Sequence, residues 1–426
     1  MIKKYLILFL SVLSLTFINS LSFADIIVIN AEGVVNPVMS EFISKSIDNA
    51  AENNSELVVI ELDTPGGLDT SMRAIVKKII SSEVPVAVHV SPSGARAASA
   101  GVFITMSAHI ASMAPGTNIG AAHPVSVGSK LDEDMAKKAV NDAAAYIRSI
   151  AEKKKRNAEW AEKAVRESVS ITEKEALELN VIDLISTDTA ALLDMVDGRT
   201  VETTFGEITV KTKGIDVLHR EMGMRDRILD IISNPNIAYL LMLLGFYGIF
   251  FELTNPGAIF PGVIGAISLI LAFYSFQTLP VYYAGLLLIL LAVVLFILEI
   301  FVTSFGLLSI GGLISMFIGS LMLFESPLPF FKLSLKVILP GVILTTLFFT
   351  LTVFLVVKAY RRKPVTGSEG LVGMEGNAKT DILKDGQVSV HGEIWNAWSD
   401  EPISAGDKIV VESMEHLKFK VKKLSQ

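Results

Sequence analysis

Two short stretches hold the residues best suited to covalent chemistry. The first is Gly94-Ala-Arg-Ala-Ala-Ser99-Ala-Gly101, where small residues flank a serine soon after an apolar run ending near Val90. Small neighbours let the backbone turn sharply and let a substrate approach the hydroxyl. A helix starting at that serine would aim oriented N–H groups and a positive dipole end at any oxyanion formed there. The same residues also suit plain packing of a helix on a sheet, and spacing alone does not choose. The second stretch is Leu62-Asp63-Thr64-Pro65-Gly66-Gly67, a strand end turning into a helix start. Its glycine amides suit an oxyanion hole, although an ordinary strand-to-helix turn uses the same residues.

Other chemistries find less support. Cysteine is absent, which excludes disulfides, thiolate metal sites and a cysteine nucleophile. The histidines at 89, 109, 123, 219, 391 and 416 show no metal-ligand spacing. His89 and His109 fall in or beside strand-like runs and read as structural; for His123, just after the Ile119-Gly120 turn, lining a cleft is only the less favoured alternative. No phosphate-binding loop is present, and no cofactor is expected. The formal charge of −7 argues against general nucleic-acid binding, which wants a basic face.

The elements that must position these residues begin after residue 24. Lys3 and Lys4, the apolar core Tyr5 to Ile18 and the small Ser22 and Ala24 read as a signal peptide over residues 1–24, with an uncleaved anchor as the alternative. Residues 25–230 read as α/β. Asp25–Asn30, Glu56–Leu62, Val84–Val90 and His109–Met113 are β-branched runs typical of buried strands. The helical patterns Val38–Asn53 and Leu68–Ser81 alternate with them, which implies parallel βαβ units.

A mean hydropathy of +0.53 points to membrane spans. Residues 231–360 break into about five, near 236–253, 259–278, 282–303, 306–324 and 336–358, with re-entrant second and fourth stretches as the alternative. Lys358, Arg361, Arg362 and Lys363 close the last and belong in the cytoplasm, which leaves the first domain outside, although Arg220, Arg225 and Arg227 weaken that rule. A faint repeat runs through the spans. Glu252 precedes Gly257 and Gly262 much as Glu299 precedes Gly306 and Gly311, the glycines sharing a 49-residue offset. The two acids either flank turns at the interface or take part in a proton relay. Residues 366–426 read as a small OB-type barrel with seven Lys and ten Asp or Glu, a protein-contact or regulatory module rather than a nucleic-acid binder.

Taken together, the D-T-P-G-G turn and the later G-A-R-A-A-S-A-G stretch resemble the ClpP and signal-peptide-peptidase class of serine proteases. The closer resemblance is to the long form of the NfeD family, which joins a ClpP-like domain to a membrane region and an OB-like tail. Met113-Ala-Pro-Gly-Thr-Asn-Ile-Gly120 and Ala145-Tyr-Ile-Arg-Ser-Ile-Ala151 match as well, so the resemblance spans essentially the whole mature chain. A local departure is Asn180, where the family usually has glycine; asparagine also tolerates a left-handed turn.

The resemblance implies an α/β ClpP/crotonase-like domain acting as an extracytoplasmic endopeptidase with a Ser–Lys dyad. Ser99 is then the nucleophile, and amides at Gly66, Gly67 and Ala100 form the oxyanion hole. In related members the lysine sits seven residues before the A-Y-I segment, which here is Lys138, with Lys137 and Lys130 as competitors. A neutral amine is required, so burial must lower its pKa. If residues 134–151 form one helix, Ala136, Val140, Ala143, Ile147 and Ile150 make its apolar stripe. Lys137 flanks that stripe and Lys138 lies away from it, so periodicity does not select Lys138, and burying it takes reorientation or dimer packing. The resemblance further implies hydrophobic segments of membrane proteins as substrates and a stomatin-like membrane protein as partner. It also implies contact with membrane lipid and assembly into a dimer or larger homo-oligomer. The rival reading is a non-catalytic membrane scaffold that organises stomatin-type partners.

Overall fold

Buried β-branched runs build the first domain as the sequence predicts. In the computed structural model, residues 25–125, 132–254, 257–302, 304, 306–324, 326, 329–360 and 368–424 are described; residues 1–24, the expected signal peptide, and Lys130 lie outside them. Strands β1 (Asp25–Glu32), β2 (Leu57–Asp63) and β3 (Val86–Val90) are followed by β4 (Arg96–Ala98), β5 (Ile110–Met113), β6 (Asn118–Gly120), β7 (Ser170–Thr172) and β8 (Leu184–Ile185). Then come β9 (Thr200–Thr203), β10 (Gly206–Thr209) and β11 (Asp216–Arg220). Six of these form one parallel sheet in the order β11-β1-β2-β3-β5-β8.

Helices cover both faces of that sheet, which is why its strands are apolar throughout instead of alternating. Ile27, Ile29, Val58, Ile60, Val86 and Val88 face one core. It is shared with helices α1 (Pro37–Glu52), α2 (Asp69–Ile80), α3 (Ala100–Ser107), α4 (Glu133–Lys153), α5 (Ala158–Arg166) and α6 (Glu173–Glu178). Ile26, Val28, Leu57, Val59 and Ala87 face the other core, closed by Leu192, Leu193 and Val196 of α7 (Thr189–Val196). A separate small sheet, β4-β6-β7, pairs Ala98 with Gly120. Asn180 adopts the left-handed conformation expected of it, with φ 56°.

Helix α8 (Met224–Ile232) leads into the apolar region, which forms α9 (Pro235–Thr254), α10 (Phe260–Thr278), α11 (Tyr283–Phe301), α12 (Leu307–Leu323) and α13 (Leu335–Tyr360). Among the described residues, α9, α10 and the Leu335–Leu355 part of α13 are long and apolar enough to cross a membrane, while Tyr283–Glu299 and Leu307–Leu323 are shorter apolar helices. Glycines let α9 and α10 touch backbone to backbone: a Cβ on Gly248 would lie 2.4 Å from the Pro261 carbonyl oxygen. Glu299 accepts from the Ser304 hydroxyl at 2.8 Å and from the Gly306 and Ser309 amides at 3.0 and 2.9 Å. Glu252 likewise accepts from the Gly257 amide at 3.3 Å. Both acids therefore flank and cap turns, the plainer of the two readings.

The C-terminal segment folds as a closed barrel of β12 (Glu375–Ala378), β13 (Gly386–Val390), β14 (Glu393–Trp398), β15 (Lys408–Glu415) and β16 (Lys418–Lys423), in the order β12-β13-β14-β16-β15. Val388, Val390, Ala397, Ile409, Phe419 and Val421 fill it.

Candidate active site

Ser99 sits where β4 ends and α3 begins, with φ 51° and ψ −109°. A positive φ costs a non-glycine residue energy, so its surroundings must hold it there. They do: the Ser99 amide donates to the Gly120 carbonyl at 3.0 Å, and its carbonyl accepts from the Val102 amide at 3.1 Å. The side chain makes no capping bond to α3, is half-exposed, and its hydroxyl has no hydrogen-bond partner among the described residues. Gly101 is small for a packing reason, since a Cβ there would lie 2.8 Å from Thr64 Cγ2.

That contact brings in the turn after β2. The Thr64 amide donates to the Arg96 carbonyl at 2.8 Å and the Ala98 amide to the Thr64 carbonyl at 3.0 Å, so the turn is stitched to the strand that ends at Ser99. Gly66 has φ +114°, and a Cβ on it would lie 2.7 Å from Ser99 Cβ and 3.2 Å from Ser99 Oγ. Its amide already donates to Thr64 Oγ1 at 3.0 Å. Of the three expected oxyanion-hole residues, Gly66 is thus spent as a donor and acts by making room. Val35 holds the turn from the other side: its amide donates to the Gly66 carbonyl, and its carbonyl accepts from the Leu68 amide, each at 2.9 Å. Among the described residues, the Gly67 and Ala100 amides have no protein acceptor. Two donors are therefore left beside the Ser99 hydroxyl.

A cleft of about 150 Å³ opens there, lined by Gly67, Met72, Ser99, Phe103, Val125 and Ala143 among others. Its walls are mostly apolar, with Met72 and Phe103 buried, and suit an apolar side chain. Arg73 fixes the wall between α2 and α4. It pairs with Asp69 and Asp142 and lies 4.4 Å from the centre of the Tyr146 ring, which stacks on Phe103 at 6.0 Å. Sequence reading missed this clamp; the Asp69–Arg73 spacing of four on one helix was its visible signal.

Lys138 stands apart from these groups. Helix α4 buries Ala143, Ala144, Ile147, Ile150 and Ala151 and half-buries Val140, but Ala136 is exposed, so the apolar stripe starts later than expected. Lys138 is exposed and makes no hydrogen bond to Ser99 among the described residues. It precedes the cleft-lining Ala143 by five residues, about 7.5 Å along the axis. Lys137 is exposed as well and pairs with Glu133 at 3.2 Å. Burial drives a different lysine down: Lys154, to about 8, with the charges of Arg156 and Lys153 adding to it. Lys154 neighbours His109, past the far end of α3 from Ser99.

The histidines are structural where the structure describes their bonds. Burial, reinforced by Lys154, Arg156 and Lys153, pushes His109 down to about 3, and its Nδ1 accepts from the Val86 amide at 3.1 Å. His123 does not line the cleft; its Nδ1 lies 2.9 Å from the Val165 carbonyl oxygen. Among the described residues, no cluster of three His, Asp or Glu could hold a metal.

The chain matches three domain families along its length. They are the NfeD1b N-terminal domain over residues 25–207, the NfeD integral membrane domain over 236–357 and the NfeD-like C-terminal, partner-binding domain over 368–423. Membrane-bound protease PH1510 of Pyrococcus horikoshii is 34% identical over 423 residues, 96% of each chain. Membrane protein NfeD1b of Bacillus subtilis is 28% identical over 302 residues, 68% of this chain and 65% of that one. Among solved structures, the 1510-N membrane protease specific for a stomatin homolog from Pyrococcus horikoshii is 31% identical, with a TM-score of 0.44 over 50% of this chain and 99% of its own. With all three of its parts matched, and a protease related along nearly its full length, this chain belongs to the NfeD family of membrane-bound proteases.

Proposed function

We propose that the α/β domain is a serine endopeptidase acting through Ser99 and Lys138 on hydrophobic segments of membrane proteins, with a stomatin-like protein as substrate or partner. One observation carries this reading: a serine hydroxyl on a positive-φ turn and two nearby amides, without hydrogen-bond partners among the described residues, beside an apolar cleft. Ser99 Oγ attacks the scissile carbonyl, and its proton passes to the neutral Lys138 amine. The oxyanion accepts from the Gly67 and Ala100 amides. The ammonium then protonates the leaving amine as the C–N bond breaks, and water repeats the cycle on the acyl-enzyme.

Lys138 is exposed in the single chain, so this mechanism needs the start of α4 to close over Ser99, by its own movement or by packing of a second copy. A homo-oligomer, dimer or larger, is therefore part of the proposal. The substrate class is the one the family resemblance implies, and the apolar cleft and adjoining membrane helices suit it. The α/β domain lies outside the cytoplasm and the barrel within it, where the barrel contacts a protein partner.

The exposure of Lys138 is what favours the rival scaffold reading. Cleavage of a hydrophobic peptide by the full chain, compared with Ser99→Ala, separates the two. Loss in the variant supports the protease; equal rates in both would remove Ser99 from the mechanism.

A further inference from the structure

Helix α8 carries an apolar stripe that nothing else in the described chain covers. Met224, Ile228 and Ile231 fall at i, i+4 and i+7 on one face and are 76%, 48% and 52% exposed. The helix is held at its C-terminal end, beside the stripe by Ile232 and well round from it by Asp230. Ile232 is buried, and Asp230 accepts from the Asn36 side-chain amide at 2.7 Å. The outward aim of the stripe is thus fixed. Arg225 and Arg227 stand exposed on either side of it, Arg227 paired with Glu221 at 3.0 Å.

The stripe also has a neighbour that says what covers it. Only Ser233 and Asn234 separate α8 from α9, a helix apolar enough to cross a membrane. The Ser275 hydroxyl of α10, a second such helix, donates to the Ile232 carbonyl and ties the end of α8 to that bundle. An apolar face flanked by arginines, continuous with a membrane span, matches a helix lying in the lipid interface.

We infer that α8 is a membrane-seating helix: Met224, Ile228 and Ile231 rest in the boundary between headgroups and acyl chains, and Arg225 and Arg227 meet the lipid phosphates. The seat has a consequence for the candidate active site. Asn36, which holds α8, directly follows Val35, whose backbone holds Gly66 and Leu68. Seating α8 therefore fixes the height of the cleft above the bilayer that supplies its substrate.

The chain contains no cysteine, so single cysteines label cleanly. Met224→Cys, Ile228→Cys and Ile231→Cys in the full chain, with Phe205→Cys on the exposed β9–β10 turn as the aqueous reference, would each carry a nitroxide in phosphatidylcholine–phosphatidylglycerol vesicles. Relaxation by oxygen against a water-soluble nickel chelate then reads depth. The expected result is nickel protection at all three α8 positions, at a depth of about 5–10 Å below the phosphates, and none at Phe205→Cys. Nickel access at the α8 labels equal to that at Phe205→Cys would overturn the inference. So would strong spin–spin broadening between copies without nickel protection, which would make the stripe a protein interface. Neither reading depends on whether Ser99 is catalytic.

Discussion

Gly66 and Ser99 are so close that the smallest change at one reaches the other. A methyl on Gly66 would collide with Ser99 Cβ and demand a positive φ that alanine resists. Gly66→Ala is expected to cost about 1–3 kcal/mol of stability and to slow acylation of Ser99 at least tenfold, read by melting and by inhibitor labelling. Lysine chemistry gives a second test. Lys138→Arg keeps the charge but not the ability to deprotonate, so it should be as inactive as Lys138→Ala, while Lys137→Arg stays active. If Lys138→Arg keeps its activity and Lys137→Arg loses it, the assignment shifts by one residue. Small residues around Ser99 and the Pro-Gly-Gly turn marked two tight turns in the sequence, but it was the family resemblance that joined them into one candidate site. The surroundings of Lys138 were not legible, because periodicity describes a face of its own helix and says nothing of which element or copy meets it. The Arg73–Asp142 clamp joins residues 69 apart, beyond any local pattern.

His109 supplies a prediction about pH. Its ring is neutral in the fold down to about pH 3, against 6.5 for an unhindered histidine. Between those values the unfolded chain binds a proton that the folded chain does not, so stability falls as pH drops below 6.5. The slope is about 1.4 kcal/mol per pH unit at most, and above pH 6.5 the group contributes nothing to it. His109→Gln should therefore lose less stability than the parent between pH 7 and 5, by up to about 2 kcal/mol in denaturant melts. Equal losses would mean that His109 is protonated without cost in the fold.

At the scale of elements, long buried strands announced themselves through continuous Val and Ile, and α1 and α2 through their apolar period. The strands β4, β6 and β7 have three residues each, too few to show a period, yet they fix Ser99 against Gly120. Short strands of this kind are set by their neighbours and are not readable alone. The α9–α10 contact gives an element-scale prediction. Gly248→Leu would push its side chain into the Pro261 carbonyl and Gly265, so the two helices must separate. A loss of about 1–3 kcal/mol in thermal melts is expected, against little change for Leu244→Ala on the exposed side. Similar effects at both sites would mean that close approach of the helices does not matter.

For the molecule as a whole, composition shifts along the chain were enough to separate an α/β domain, an apolar helical region and a barrel. What they left open was the number of crossings, because the second and fourth apolar stretches are short enough to be re-entrant, and Leu307–Leu323 has only 17 residues. An odd number of crossings puts Thr200 and Gln426 on opposite sides, so reporter fusions there should give opposite signals. Matching signals would require an even count. Whether Ser99 is an activated nucleophile in the intact membrane protein can be read with a fluorophosphonate probe on the full chain in detergent or vesicles. One covalent adduct is expected, mapped by mass spectrometry to the peptide carrying Ser99 and absent from an equally stable Ser99→Ala variant. An unlabelled parent chain, or equal labelling of Ser99→Ala, would contradict an activated Ser99.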